Sequence, residues 1–191
     1  MTKLAVSSGD PAGIGPDICI KAFGSKTELD YSPVIFGDPN LFKERAKALG
    51  QKIDLQIYQG ENEELLSNNC LWIKPHDLKQ SVKPGEPDAL YASYIMDLFE
   101  DAIEKTVSNE FNGLVTGPIN KEFMNKGGVV FRGHTEVLAK VSKTQKVLMM
   151  LASNEMKVAL ATTHISIAEV PKMITRNHLL SCLTILRDDL R

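Results

Sequence analysis

Apolar and polar positions alternate between two periods along this chain. Leu4-Ala5-Val6 is a short apolar run suited to a buried strand over Lys3 to Ser8. It ends in GDPAGIGPD (Gly9 to Asp17), whose glycines allow sharp turns and close approach. Pro16 then suits the first turn of a helix through Ile18, Ile20, Ala22 and Phe23. A second strand is expected over Pro33 to Phe36. The helix after it carries Leu41, Phe42, Ala46 and Leu49, is capped by Asp38 or Asn40, and stops at Gly50. Ile53 to Tyr58 alternates like a half-exposed strand, and Leu71-Trp72-Ile73 is a further short one. Trp72 fits the core better than a ligand platform.

The clearest helix runs over Pro87 to Val107. Ile95, Leu98, Phe99, Ala102 and Ile103 form one apolar face, and the acidic side reads as solvated. Leu114-Val115-Thr116 follows as a strand. It breaks at Gly117-Pro118, which reads as a tight turn and a helix start. A helix is expected over Glu136 to Val141. Lys146 to Ala152 and Lys157 to Thr163 are apolar runs across a short polar turn, so an antiparallel hairpin inside a larger sheet is expected. Ile167 to Thr175 and Asn177 to Arg191 read as helices, the latter with Leu179, Leu180, Leu183 and Leu186 on one side. Strand and helix alternate as in a layered α/β protein. The polar segments Gln59 to Asn69 and Val82 to Asp88 read as surface connections, too short for domain linkers.

Composition narrows the class. With 43% hydrophobic and 24% charged residues, the 191-residue chain has an ordinary globular balance, enough for one sizeable domain or one domain and part of another. A net charge of -2 without a basic stripe argues against general nucleic-acid binding. Cys19, Cys70 and Cys182 form no CxxC pair, so buried free thiols and a reducing, cytoplasmic setting are expected. Neither a signal peptide nor a membrane span is expected.

Candidate chemistry gathers in Gly113 to Glu136. Asn120, Lys121, Arg132, His134, Thr135 and Glu136 are many hydrogen-bonding groups for one connection, placed where open α/β sheets bind ligands. The same residues also suit a solvated loop in which Thr135 caps a helix and Glu136 sits in its first turn. Asp10, at a strand tip, would face the same crevice, although the glycines beside it also suit simple helix–strand packing. His164 follows Thr162-Thr163 at a strand end, where a neutral imidazole suits a divalent metal or a proton; a lone histidine is more often structural. Motifs for hydrolase triads, HExxH metal sites and the common nucleotide loops are missing.

Three segments together carry a resemblance. SSGDPAGIGPD (Ser7 to Asp17), VTGPINKEFMNKGG with FRGHTEVLA (Val115 to Ala139), and MMLASNEMKVALATTHISIAEVP (Met149 to Pro171) resemble successive signatures of the 4-hydroxythreonine-4-phosphate dehydrogenase family. The resemblance implies a two-domain α/β fold similar to the isocitrate and isopropylmalate dehydrogenases. It implies NAD(P)-dependent oxidation of a phosphorylated hydroxy amino acid with decarboxylation, in pyridoxal phosphate biosynthesis. It also implies a divalent metal (Zn, Mg or Co) and a homodimer with its site at the subunit interface. By motif, His134 and Thr135 match the substrate-binding pair and His164 the first of three metal-binding histidines. Lys121 is assigned a phosphate, a carboxylate or a proton, with a plain surface lysine as the alternative. The family is longer than 191 residues, so the chain is expected to be an N-terminal portion, C-terminally incomplete, lacking the other metal ligands and most of the nucleotide surface, and inactive alone. Two alternatives stay open: a sister enzyme acting on threonate or erythronate 4-phosphate, and a non-catalytic module binding a phosphorylated ligand.

Overall fold

The computed structural model describes residues 2–24, 29–60 and 70–190; of the polar connection expected at Gln59 to Asn69, positions 61–69 lie outside them. Two compact units divide the chain, Met1–Lys143 and Thr144–Arg191.

The first unit is built on five strands: β1 (Thr2–Ser7), β2 (Tyr31–Gly37), β3 (Leu55–Ile57), β4 (Leu71–Pro75) and β5 (Gly113–Thr116). Their order across the sheet is β3-β4-β2-β1-β5, and every pairing is parallel. Helices α1 (Gly15–Phe23), α2 (Pro39–Ala48), α3 (Ala92–Val107), α4 (Lys121–Lys126) and α5 (His134–Val141) complete the unit. Successive strand residues point to opposite faces, so each strand feeds two cores. Ala5, Val34 and Phe36 face α3, while Val6, Ile35 and Ile73 pack with Cys19 and Ile20 of α1 and Phe42 of α2. The result is a sheet with helices on both faces.

Several local features follow the sequence directly. Asp38 caps α2 through Oδ1, which accepts from the Asn40 and Leu41 N–H groups. Arg45 ties α2 to α1 by a two-pronged pair with Asp17, at 2.7 Å for each bond. Trp72 is partly buried against the α3 core, as its spacing suggests. All three cysteines are buried, and none is in a disulfide.

Other expectations change. The half-exposed strand over Ile53 to Tyr58 shrinks to the three residues of β3, at the sheet edge. The acidic side of α3 is not uniformly solvated. Asp101 is half-buried and bonds His76 Nε2 at 3.1 Å, and Lys105 pairs with buried Glu110 at 2.8 Å. Pro118 starts no helix: α4 begins at Lys121 behind the Asn120 cap.

The second unit contains strands β6 (Met149–Ala152) and β7 (Lys157–Leu160) and helices α6 (Val170–Met173) and α7 (Arg176–Asp189). The antiparallel hairpin is present, with Met149 opposite Leu160, but among the described residues it is a two-stranded sheet of its own rather than part of a larger one. The helix expected over Ile167 to Thr175 contracts to α6. Leu179, Leu180 and Leu183 of α7 are exposed, and Cys182 is its one buried residue.

Candidate functional site at the sheet switch point

From β1 the chain steps outward to β2 and to the β3–β4 pair, then returns to add β5 on the other side of β1. Strand order therefore reverses between β1 and β5, and the crevice beyond their C-terminal ends is the ligand position for such a sheet. Two loops lock together there. Gly117 N–H donates to Ser7 O at 2.7 Å, and Asp10 N–H donates to Pro118 O at 3.1 Å. Gly9 has φ of +76°, and a Cβ on it would collide with Pro118 O; one on Gly117 would press into Ser8. These glycines serve both the turn and the close packing of the loops.

Asp10 is buried at this junction, with Oδ1 accepting from Ala12 N–H at 2.9 Å. Burial raises its carboxyl pKa above the ordinary value, opposed by the N–H groups of Ala12 and Gly13. It lines a cleft of about 340 Å³ together with Ile14, Pro87, Pro118, Ile119 and Asn120.

His134 is the first residue of α5, behind an extended Gly133 that offers no side-chain cap. Its half-buried ring meets Phe99 and Phe131 edge-on, with centroids 5.3 Å and 5.6 Å away. Nε2 lies 3.1 Å from Gly117 O. A carbonyl only accepts, so Nε2 is the donor in this contact and Nδ1 points elsewhere. Thr135 is exposed in the first turn and does not cap the helix. The place a Gly133 Cβ would take is 2.8 Å from Glu136 Oε2 and 3.6 Å from Lys121 Nζ. The fold thus gathers Lys121, His134, Thr135 and Glu136 around one uncapped helix start. The helix dipole and Lys121 favour an anion at such a start, while the Glu136 carboxylate beside them opposes a second one.

Sequence reasoning did not single out the residues that hold this arrangement. Phe99 reads as one more apolar position of α3, and its ring contact with His134 crosses 35 residues of chain (134 − 99). Asn125 accepts from Phe131 N–H at 3.2 Å and donates to Phe131 O at 3.1 Å and to Lys121 O at 2.6 Å. It fixes the approach to His134 from α4; it lies inside the segment VTGPINKEFMNKGG, where the sequence assigns it no role of its own.

His164 belongs to the second unit. It is exposed and lies beyond β7, which ends at Leu160 rather than at Thr163 as expected. Its φ of 56° is unusual for a residue with a Cβ and marks a locally constrained turn. Among the described residues, no three His, Cys, Asp or Glu side chains gather as a metal site. His164 therefore offers one ligand, not a site. His178, for which the sequence supports no role, places Nε2 2.6 Å from Ala161 O and secures the segment leading to His164.

Comparison with known proteins identifies the fold and the family. Residues 30–191 match the family model described as pyridoxal phosphate biosynthetic protein PdxA. The 4-hydroxythreonine-4-phosphate dehydrogenase of Shewanella frigidimarina is 40% identical over all of this chain, which spans 58% of that relative. The enzyme of the same name from Saccharophagus degradans is 38% identical over 98% of the chain and 56% of its own length. A solved 4-hydroxythreonine-4-phosphate dehydrogenase from Klebsiella pneumoniae superposes with a TM-score of 0.88 at 26% identity, covering 97% of this chain and 58% of that one. The counterpart from Burkholderia phymatum, at 22% identity and TM-score 0.88, shares the fold. The chain thus spans just over half the length of these relatives. With the match over 162 residues (191 − 30 + 1) and with its glycine-locked switch point, this chain belongs to the PdxA family of pyridoxal phosphate biosynthetic proteins.

Proposed function

We propose that the chain carries the substrate-binding side of an NAD(P)-dependent dehydrogenase. Its substrate would be 4-phosphohydroxy-L-threonine, whose hydroxyl is oxidised and whose β-keto acid product then loses CO₂. The observation that carries this reading is the uncapped start of α5, bearing His134 and Thr135 beside Lys121 at the C-terminal end of a parallel sheet. The first-turn N–H groups and Lys121 Nζ suit the phosphate or carboxylate of the substrate. Thr135 Oγ1 and the free Nδ1 of His134 suit its hydroxyl and amino groups. Lys121 is the candidate for moving a proton during the chemistry.

A bound dinucleotide would supply the hydride acceptor. Of a divalent metal site, the described residues offer His164 alone, so no step is assigned to a metal. The relatives are longer, and we assign the remaining metal ligands, most dinucleotide contacts and the partner half of a homodimer to protein outside these 191 residues. Among the described residues, no helix is long and apolar enough to cross a membrane.

The test is calorimetric titration of 4-phosphohydroxy-L-threonine into the chain, with NAD(P) reduction followed in parallel with Zn²⁺, Mg²⁺ or Co²⁺. Binding that weakens about tenfold in His134→Ala and Lys121→Ala, without turnover, is expected from lost hydrogen bonds to charged groups. Unaltered binding in both variants would sink the site assignment. Robust turnover would sink its incompleteness.

A further inference from the structure

We propose that His76 is a proton-operated anchor for the strap formed by residues 76–88, which grips the switch-point loops while the imidazole is charged and loosens as it loses its proton. The strap has no helix or strand and joins β4 to the turn that precedes α3. Most of its residues are exposed, and Leu78 and Val82 are its apolar contacts with the α3 core. A segment with so little apolar contact opens at low cost. Hydrogen bonds hold it instead. His76 N–H donates to Gly37 O at 3.0 Å, Leu78 N–H to Asp38 Oδ2 at 2.8 Å, Tyr91 Oη to Ser81 O at 3.0 Å, and Gly85 N–H to Ala12 O at 2.8 Å. The last bond ties the far end of the strap to the loop that carries Asp10.

Of these anchors, His76 is the one whose charge changes near neutrality. Its Nε2 lies 3.1 Å from Asp101 Oδ2 on α3, and its ring lies against Phe36 of β2, with centroids 5.8 Å apart. Both side chains are sheltered, at 16% and 27% exposure. The charged groups around the pair are Lys74 of β4, 3.9 Å from Asp101 Oδ2, and Lys105 of α3, which pairs with Glu110 at 2.8 Å. On the strap itself Asp77 and Lys79 are exposed, and Asp38 at the end of β2 faces the Leu78 N–H. Burial opposes ionisation of Asp101, but the His76 hydrogen bond and the lysine charges outweigh it, so this carboxyl is anionic through mild acid. A neutral imidazole already donates to it; a protonated one adds its charge and roughly doubles the strength of the bond. The added hold is full in mild acid and fades as pH rises through the histidine range. It is lost again in strong acid, where Asp101 takes up its proton below the usual carboxylate range.

The strap governs access to the proposed substrate site, a purpose that rests on that reading, whereas its motion is read without substrate. Hydrogen exchange of the ¹⁵N-labelled chain is followed by NMR from about pH 5.5 to 8.5, corrected for the intrinsic pH dependence of each amide, beside the titration of the His76 ring. The opening equilibrium at Leu78 and Gly85 should rise roughly three- to tenfold across that range, with the midpoint of the His76 ring, while amides inside α3 stay level. His76→Gln keeps a neutral donor and should hold both amides at one opening level, within about twofold, at every pH. Asp101→Asn should flatten the profile in the same way. The anchor is overturned if opening in the parent changes less than about twofold, if its midpoint departs from that of the ring, or if His76→Gln keeps the rise. A response at Leu78 that leaves Gly85 unmoved overturns it equally. The parent measurements need no variant, so a substitution that fails to fold does not shield the anchor from refutation. Substrate titration at His134 and Thr135 reports separately, so loss of one result leaves the other standing.

Discussion

Asp101 shows how one half-buried acid joins two elements. Burial alone would push its carboxyl pKa up, but the His76 hydrogen bond and the Lys74 charge outweigh it and hold the value below the usual range. A carboxyl held low in the folded state adds stability above its unfolded pKa of about 4 and loses it as pH falls through the folded value. Asp101→Asn should therefore cost about 1–2 kcal/mol at pH 7, and the difference from the parent should vanish in acid, as urea unfolding across pH would record. Cys19 goes the other way: burial pushes its thiol up to about 12. Iodoacetamide at pH 8 should leave Cys19 unmodified in the native chain and label it in urea, read by peptide mass. At the switch point, Asp10 sits high because it is buried, so its ionised form is the strained one. Asp10→Asn should stabilise the chain at pH 7 relative to the parent, with the gain disappearing as pH drops below the raised value.

Among the elements, the Asp38 cap has the widest reach. Its Oδ1 holds the start of α2, its Oδ2 accepts from Leu78 N–H at 2.8 Å, and its own N–H donates to Tyr94 Oη on α3 at 2.9 Å. Asp38→Ala should cost roughly 2–3 kcal/mol in denaturant unfolding, more than a solvent-exposed cap, because buried N–H groups lose their acceptor. That cap was readable in Gly37-Asp38-Pro39 because the interaction is local. So were β1, β2, α3 and the β6–β7 hairpin, each set by its own apolar period. What escaped reading depends on distant partners. Pro118 resembles a helix start, yet its carbonyl is engaged by Asp10, 108 positions earlier (118 − 10), and the cap passes to Asn120. His134 and Thr135 were recognisable from their motif, whereas the aromatic rings and the Asn125 bridge that orient them were not. The His76–Asp101 pair hid inside an acidic face that looked solvated, since nothing in a helix period reveals which acid meets a histidine from a strand end.

For the molecule as a whole, the two units differ in how they hold themselves. Residues 1–143 own both apolar clusters. The second unit leaves Met149, Leu151, Leu180, Leu183 and Ile167 open, the last 87% exposed. Residues 1–143 produced alone should unfold cooperatively in circular dichroism and bind little anilinonaphthalene sulfonate. The full chain should bind markedly more dye and self-associate in sedimentation velocity, because exposed apolar surface of that kind drives association. Equal dye binding by the two would mean that the second unit is already covered.

The interior position of β1, between β2 and β5, has a consequence for how the chain is made. Its first partner arrives early, with Thr2 opposite Tyr31, but its second pairs Leu4 with Gly113, 109 positions later (113 − 4). At roughly 5–20 residues per second, one edge of β1 waits about 5–20 s during synthesis before its neighbour has emerged. Contacts of such span also slow refolding from denaturant. The strand that bears the site's first loop thus gains its second neighbour only when β5, the last strand of its sheet, has been made, and during that interval its open edge is exposed to mispairing.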